Sequence, residues 1–184
     1  MKKKQRIVTI FGSGHMEENF PEYQKAVHLG KMLAEHGYTI CNGGYGGIME
    51  ASARGAKMAG GYTIGVIAQE LSLHVNRWID RVHAEKTWNS RLQRLIKIGG
   101  AFVVFDGGTG TLTELFTVWE MLNKRLIAKP MILYGEFVHS LVKRLKRRGL
   151  IISNDYLAFT QSPKRLLYFL EETFALQEAK EGAS

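Results

Sequence analysis

Three short segments of this chain join glycines to residues that can hold an anion. They are Gly12-Ser13-Gly14, the run Asn42 to Gly47 with its Gly43-Gly44 pair, and Asp106-Gly107-Gly108-Thr109-Gly110-Thr111. Glycine lets backbone N–H groups approach a ligand closely. A helix that opens from such a loop adds free N–H groups and the positive end of its dipole, and the two together favour phosphate. Such loops can also be tight turns and nothing more, and for Gly12-Ser13-Gly14 alone both readings stand. Gly107 to Thr111 follows the most apolar run of the chain, Ala101 to Phe105, and there phosphate binding is the better reading. Gly12, Ser13, Gly43, Gly44, Gly107, Gly108, Thr109, Gly110 and Thr111 are the candidate substrate-binding residues.

Charged groups near these loops are ambiguous by themselves. Thr111-x-x-Glu114 spells a capping box, in which threonine and glutamate satisfy free N–H groups at a helix start. Arg91 and Arg94 stand three apart and share a helix face, which for Arg94 reads as a solvated surface. His15 sits in the first glycine loop, within reach of an anion bound there. The other histidines, His28, His36, His74, His83 and His139, show no metal-ligand spacing. Trp78, Trp88 and Trp119 could stack on a base, although core or interface packing is the commoner use of tryptophan.

Two familiar phosphate motifs are excluded. A dinucleotide fingerprint needs a third glycine after Gly12 and Gly14, where Glu17 stands, and an acidic residue near the end of the second strand, where Cys41-Asn42 stands. No glycine begins a P-loop ending in Gly-Lys-Ser/Thr. A pyridoxal enzyme would need a Schiff-base lysine with an acidic partner for the pyridinium, and no lysine is arranged that way.

The elements that must position these residues alternate. Strands are expected at Arg6 to Phe11, Tyr38 to Cys41, Tyr62 to Ile67, Arg81 to Ala84, Ala101 to Phe105 and Met131 to Leu133. Helices are expected at Pro21 to His36, Ile48 to Ala59, Asn89 to Ile98, from the Gly107 loop to Asn123, Glu136 to Arg148 and Pro163 to Phe174, with Gln177 to Ser184 frayed. Such alternation implies a doubly wound, mostly parallel sheet with helices on both faces. All three glycine loops then lie at strand carboxyl ends and should converge.

The chain's 184 residues, 45% hydrophobic and 23% charged, fit one domain over 1–184. The single cysteine, Cys41, permits neither an intrachain disulfide nor a cysteine metal cage. Part of the +8 net charge sits in Lys2-Lys3-Lys4 and part in Lys143, Arg144, Lys146, Arg147 and Arg148 before Gly149. Cations suit a helix C-terminus, and no aromatic residues interleave with them as a base-stacking platform would require, so no nucleic-acid partner is expected. The apolar run after the first lysines, Ile7 to Phe11, is too short for a signal peptide, and no stretch approaches the ~20 apolar residues of a membrane helix. A soluble, cytoplasmic protein is expected.

Asp106-Gly107-Gly108-Thr109-Gly110-Thr111-Leu112-Thr113-Glu114 resembles the PGGxGTxxE signature of the LOG ("lonely guy") family, phosphoribohydrolases often mislabelled as lysine decarboxylases. The likeness extends through Phe11-Gly12-Ser13-Gly14, Leu29-Gly30, Gly43-Gly44, Gly46-Gly47-Ile48-Met49 and Ile64-Gly65-Val66-Ile67. Arg91, fifteen residues before Asp106, stands where the family carries a functional arginine. The resemblance implies a Rossmann-like fold, a homodimer, and cleavage of a nucleoside 5′-monophosphate, AMP or a cytokinin nucleotide, to free base and ribose 5-phosphate. It implies no cofactor or metal, and it makes Arg91 and Glu114 the catalytic pair. The alternative is a non-catalytic nucleotide-binding or sensing protein of the same fold. Three positions depart from the pattern: Asp106 replaces the signature proline, Leu92 a lysine and Glu50 a glycine. A carboxylate beside a phosphate loop is tolerable only if it points away or caps a turn.

Overall fold

The computed structural model describes residues 6–149 and 156–182. The elements run β1 (Ile7–Phe11), α1 (Pro21–Glu35), β2 (Thr39–Asn42), α2 (Ile48–Met58), β3 (Thr63–Ala68), β4 (Arg81–Glu85), α3 (Trp88–Ile98) and β5 (Ala101–Val104). They continue with α4 (Thr109–Asn123), β6 (Met131–Leu133), α5 (Glu136–Arg147), β7 (Leu157–Phe159) and α6 (Pro163–Gly182). Strands and helices fall within a residue or two of the expected positions, with three differences. β7 was not expected: three half-exposed residues at a sheet edge carry no readable periodicity. Helix α6 continues past Phe174 to Gly182, because Gln, Glu, Ala and Lys sustain a helix as well as apolar residues do. Helix α4 starts at Thr109, so the last three residues of the expected loop are its first turn. Lys2-Lys3-Lys4 lie outside the described residues.

The seven strands form one parallel sheet in the order β4-β3-β2-β1-β5-β6-β7. The chain steps outward from β1 to β4, then returns to lay β5 beside β1. The switch in direction therefore lies between β1 and β5, where such sheets bind ligands at the strand carboxyl ends.

Strand alternation divides the core into two layers. Val8 and Ile10 of β1 and Ala101 and Val103 of β5 pack with α1, α2 and α6. Phe11, Phe102 and Val104 face the other way, against α3, α4 and α5. Phe11 and Phe102 stack across the switch at 5.8 Å. Each such side chain contributes roughly 1.5–3 kcal/mol by leaving water. Helices α1 and α2 touch backbone to backbone, since a Cβ on Gly30 would overlap the Ser52 carbonyl and one on Gly55 that of Val27.

The basic residues near the end of α5 are mostly exposed, and Gly149 follows at φ +68° as a C-terminal stop. Among the described residues no helix is long and apolar enough to cross a membrane.

Candidate active site

Ser13 lashes the three glycine loops together. Its N–H donates to the Asp106 carbonyl at 3.1 Å, and its carbonyl accepts from the Ile48 N–H at 2.8 Å. That second bond brings Gly47, at φ +63°, so close that any Cβ there would strike the Ser13 carbonyl oxygen. Asn42 builds the middle loop. Its buried side chain donates to the Met49 carbonyl at 2.8 Å and accepts from the Gly44 N–H at 2.8 Å. The residue that stood against a dinucleotide site is thus spent on shaping a turn.

The loops enclose a cavity of about 350 Å³ at the carboxyl ends of β1, β2 and β5. Gly12, Ser13, Gly43, Gly108, Thr109, Gly110, Thr111, Arg91 and Glu114 all line it. Gly44 and Gly107 do not. Gly44 turns against Ile67 and Gly65 of β3, and Gly107 lies under Thr111 and the Ser13 backbone, so both hold the loops rather than face the cavity.

At the cavity mouth α4 begins without a side-chain cap. Its first intrahelical bond is Leu112 N–H to the Gly108 carbonyl at 3.0 Å, which leaves the N–H groups of Thr109, Gly110 and Thr111 without a partner in the helix. Thr111 is therefore inside the helix and not its cap, and the capping-box reading of Glu114 fails. Glu114 sits in the second turn, and helical side chains lean toward the N-terminus, which carries its carboxylate back toward those free N–H groups.

Glu114 and Arg91 are both buried, at 8% and 5% exposure. Arg91 Nε donates to the Val66 carbonyl at 2.8 Å, and Nη1 reaches Glu114 Oε1 at 3.5 Å, the outer limit of a hydrogen bond. Its guanidinium also lies over the Tyr45 ring at 5.5 Å. Burial raises the Glu114 pKa to about 7, and the nearby Arg91 charge offsets only part of that rise. A carboxyl poised near neutrality beside an anion-ready helix start can trade protons or face a developing positive charge.

Gly43 makes room for this arginine. A Cβ there would overlap Arg91 Nη2 and lie 2.5 Å from Met49 Sδ. Gly43→Ala is expected to displace Arg91 and to weaken binding of an anionic ligand in this cavity by roughly 10-fold or more, with the circular dichroism spectrum unchanged. Unaltered affinity by calorimetry would show that the Arg91 position does not matter for binding.

The departures find local explanations. Asp106 points away from the cavity: Oδ1 accepts from Val138 N–H at 2.9 Å and Oδ2 from Phe137 N–H at 3.1 Å, capping the start of α5. Leu92 packs in the core layer beneath α3. Glu50 lines a separate cavity of about 400 Å³ with Tyr45, His74 and Arg77. Arg94 is partly exposed and pairs with Glu85 at 2.7 Å. His15 reaches the cavity lining; Trp119 is core and Trp78 lies against Arg77. Tyr45 and Leu71 also line the site from loops whose lack of periodicity gives no sequence signal, and Met49 lines it from the first turn of α2. Trp88, one of the three tryptophans read as able to stack on a base though more often used for packing, joins them from the first turn of α3, one turn before Arg91. Among the described residues no cluster of three or more His, Cys, Asp or Glu could hold a metal ion.

A parallel sheet with its site at the β1/β5 switch places the protein in the Rossmann-like α/β class. Within it, the chain belongs to the SLOG cluster4 family, whose model matches residues 5–156. It is 32% identical over 108 residues to an uncharacterized protein of Archaeoglobus fulgidus, covering 59% of this chain and 70% of that one. It is also 32% identical over 117 residues to a Mycobacterium tuberculosis protein named cytokinin riboside 5′-monophosphate phosphoribohydrolase, covering 62% of this chain and 63% of that protein. An Escherichia coli pyrimidine/purine nucleotide 5′-monophosphate nucleosidase matches 90% of this chain at 28% identity, but the match spans only 42% of that enzyme. The fold is shared with a molybdenum cofactor binding protein of Rippkaea orientalis, with a TM-score of 0.74 at 23% identity over 93% of this chain and 98% of that one.

Proposed function

We propose that this chain is a nucleoside 5′-monophosphate phosphoribohydrolase, acting on AMP or a cytokinin nucleotide. Water adds to C1′ of the ribose, the C1′–N bond breaks, and the base leaves with a proton. The observation that carries this reading is the buried Glu114 carboxyl, which lines the same cavity as the uncapped start of α4. A phosphate held by the Thr109, Gly110 and Thr111 N–H groups would place its ribose near Glu114 and Arg91. Bond cleavage moves positive charge onto the ribose ring, and a preorganised carboxylate stabilises it there. Arg91, permanently charged and fixed by Val66, positions ribose or phosphate oxygens. The relatives named for this reaction support the same reading. The test is to incubate the purified protein with a panel of nucleoside monophosphates and follow released base by chromatography. Binding without release would make the chain a nucleotide-binding module instead.

The working form is proposed to be a homodimer in the cytoplasm, free of nucleic acid and membrane. Leu115, Val118, Trp119 and Leu122 of α4 are buried within the chain, but Phe116 is 38% exposed. Phe116, Leu112, Met121 and the 69%-exposed Leu126 line a largely apolar groove of about 660 Å³ on the outer side of the same helix. One helix carrying two apolar faces supports a second copy as the cover. Light scattering at micromolar concentration is expected to return twice the 20.8 kDa chain mass. A monomer mass would refute it.

A further inference from the structure

The phosphate and ribose ends of the proposed site are polar, and three large, mainly apolar side chains line the rest of it beside His15 and Met49. Tyr45, Leu71 and Trp88 come from three separate segments and line the same cavity as Arg91 and the α4 start. We propose that these three side chains form an apolar clamp for the nucleobase, selecting it by stacking area rather than by reading its edge. The inference rests on the nucleotide reading above and names its substrate class: purine and pyrimidine nucleoside monophosphates alike, purines preferred.

The clamp is pre-built. The Tyr45 hydroxyl accepts from Ala68 N–H at 3.0 Å and lies 3.3 Å and 3.2 Å from the Ala68 and Ser72 carbonyls, either of which can take its proton. These bonds pin both ends of the turn that carries Leu71, and Leu71 N–H itself donates to the Ala68 carbonyl at 3.0 Å. On the other flank Glu70 Oε2 accepts the Trp88 N–H at 2.9 Å, tying the same turn to the start of α3. Leu71 leaves 57% of its surface exposed, so it has apolar area free to meet a base.

Position and chemistry agree. Trp88 precedes Arg91 by one helical turn, so the two share a face. Arg91 stands between Glu114 on one side and the Tyr45 ring on the other, which puts the clamp next to the proposed reaction centre. Of these three side chains, with the Tyr45 hydroxyl spent, the indole N–H of Trp88 is the one strong hydrogen-bond donor left. A single donor cannot distinguish the edges of adenine, guanine, cytosine and uracil, whereas every base has a face to stack.

The test compares calorimetric affinities of AMP, GMP, CMP, UMP and ribose 5-phosphate for the whole wild-type chain and for Trp88→Ala and Leu71→Ala. In the wild type AMP and GMP are expected within about 10-fold of each other, with CMP and UMP weaker. Trp88→Ala should weaken all four nucleotides by roughly 10-fold or more while leaving ribose 5-phosphate unchanged. Leu71→Ala should do the same to a smaller degree. Nucleotide affinities untouched by both substitutions, or a wild type that separates AMP from GMP by about 1,000-fold, would overturn the clamp. Ribose 5-phosphate failing to bind the wild type is a different result, and it overturns the phosphate reading on which the clamp rests.

Discussion

Glu114→Gln is expected to lower turnover of AMP by roughly 100-fold or more while leaving AMP affinity similar or tighter. Glutamine keeps the shape and the burial but cannot carry the charge that meets an oxocarbenium-like ribose. The interaction forms mainly in the transition state, so its loss appears in kcat and hardly in binding. Ground-state affinity can even improve, because a carboxylate near a bound phosphate dianion repels it. The competing assignment, a helix cap, has no geometric basis, since the N-cap position of α4 is Gly108 and Glu114 lies in the second turn. A variant with intact turnover would remove Glu114 from the chemistry altogether.

The same residue sets a pH dependence whose sign follows from burial. Its folded-state pKa, raised from 4.5 to about 7, means that folding favours the neutral form. Below about pH 4.5 the folded and unfolded chains both hold the proton, and above about 7 neither does. Wild type therefore loses stability relative to Glu114→Gln as pH rises through that window, by on the order of 3 kcal/mol. Activity moves in the opposite direction. If the ionised form is the active one, kcat/KM should fall as pH drops below about 7, and that limb should be missing from the residual activity of the glutamine variant.

Much of this arrangement could be read from the chain before its fold was known, for a physical reason. Five apolar residues in a row at Ala101 to Phe105 suit a central parallel strand buried on both faces, and glycine loops at the carboxyl ends of parallel strands lie along one edge of the sheet. Convergence of the loops followed from topology alone. Other features depended on distances that no spacing encodes. Gly43 and Gly44 are adjacent and identical in type, yet one faces Arg91 and the other packs on β3. The resemblance supplied Arg91, but not its anchor on Val66, which lies twenty-five residues away along the chain. Asp106 could be said to need an escape from the phosphate loop, and only the packing of Gly135 against it reveals that the escape is the start of α5.

AMP is expected to bind at least ~100-fold more tightly than adenosine, because the phosphate meets charge-assisted contacts that the nucleoside cannot make. The N–H groups of Thr109, Gly110 and Thr111 have no partner in the helix, and the α4 dipole adds its positive end at the same point. The acid closest in sequence, Asp106, has both oxygens engaged by α5. Glu114 is the one carboxyl in the cavity lining, and near neutral pH it carries only part of its charge. Arg91→Ala should lower both affinity and rate, separating a positioning cation from the rate-only loss at Glu114. Salt gives a second reading: raising ionic strength should weaken AMP and leave adenosine nearly unchanged. Equal affinities for AMP and adenosine, measured by calorimetry at low salt, would mean that α4 does not hold a phosphate and that the cavity serves another ligand.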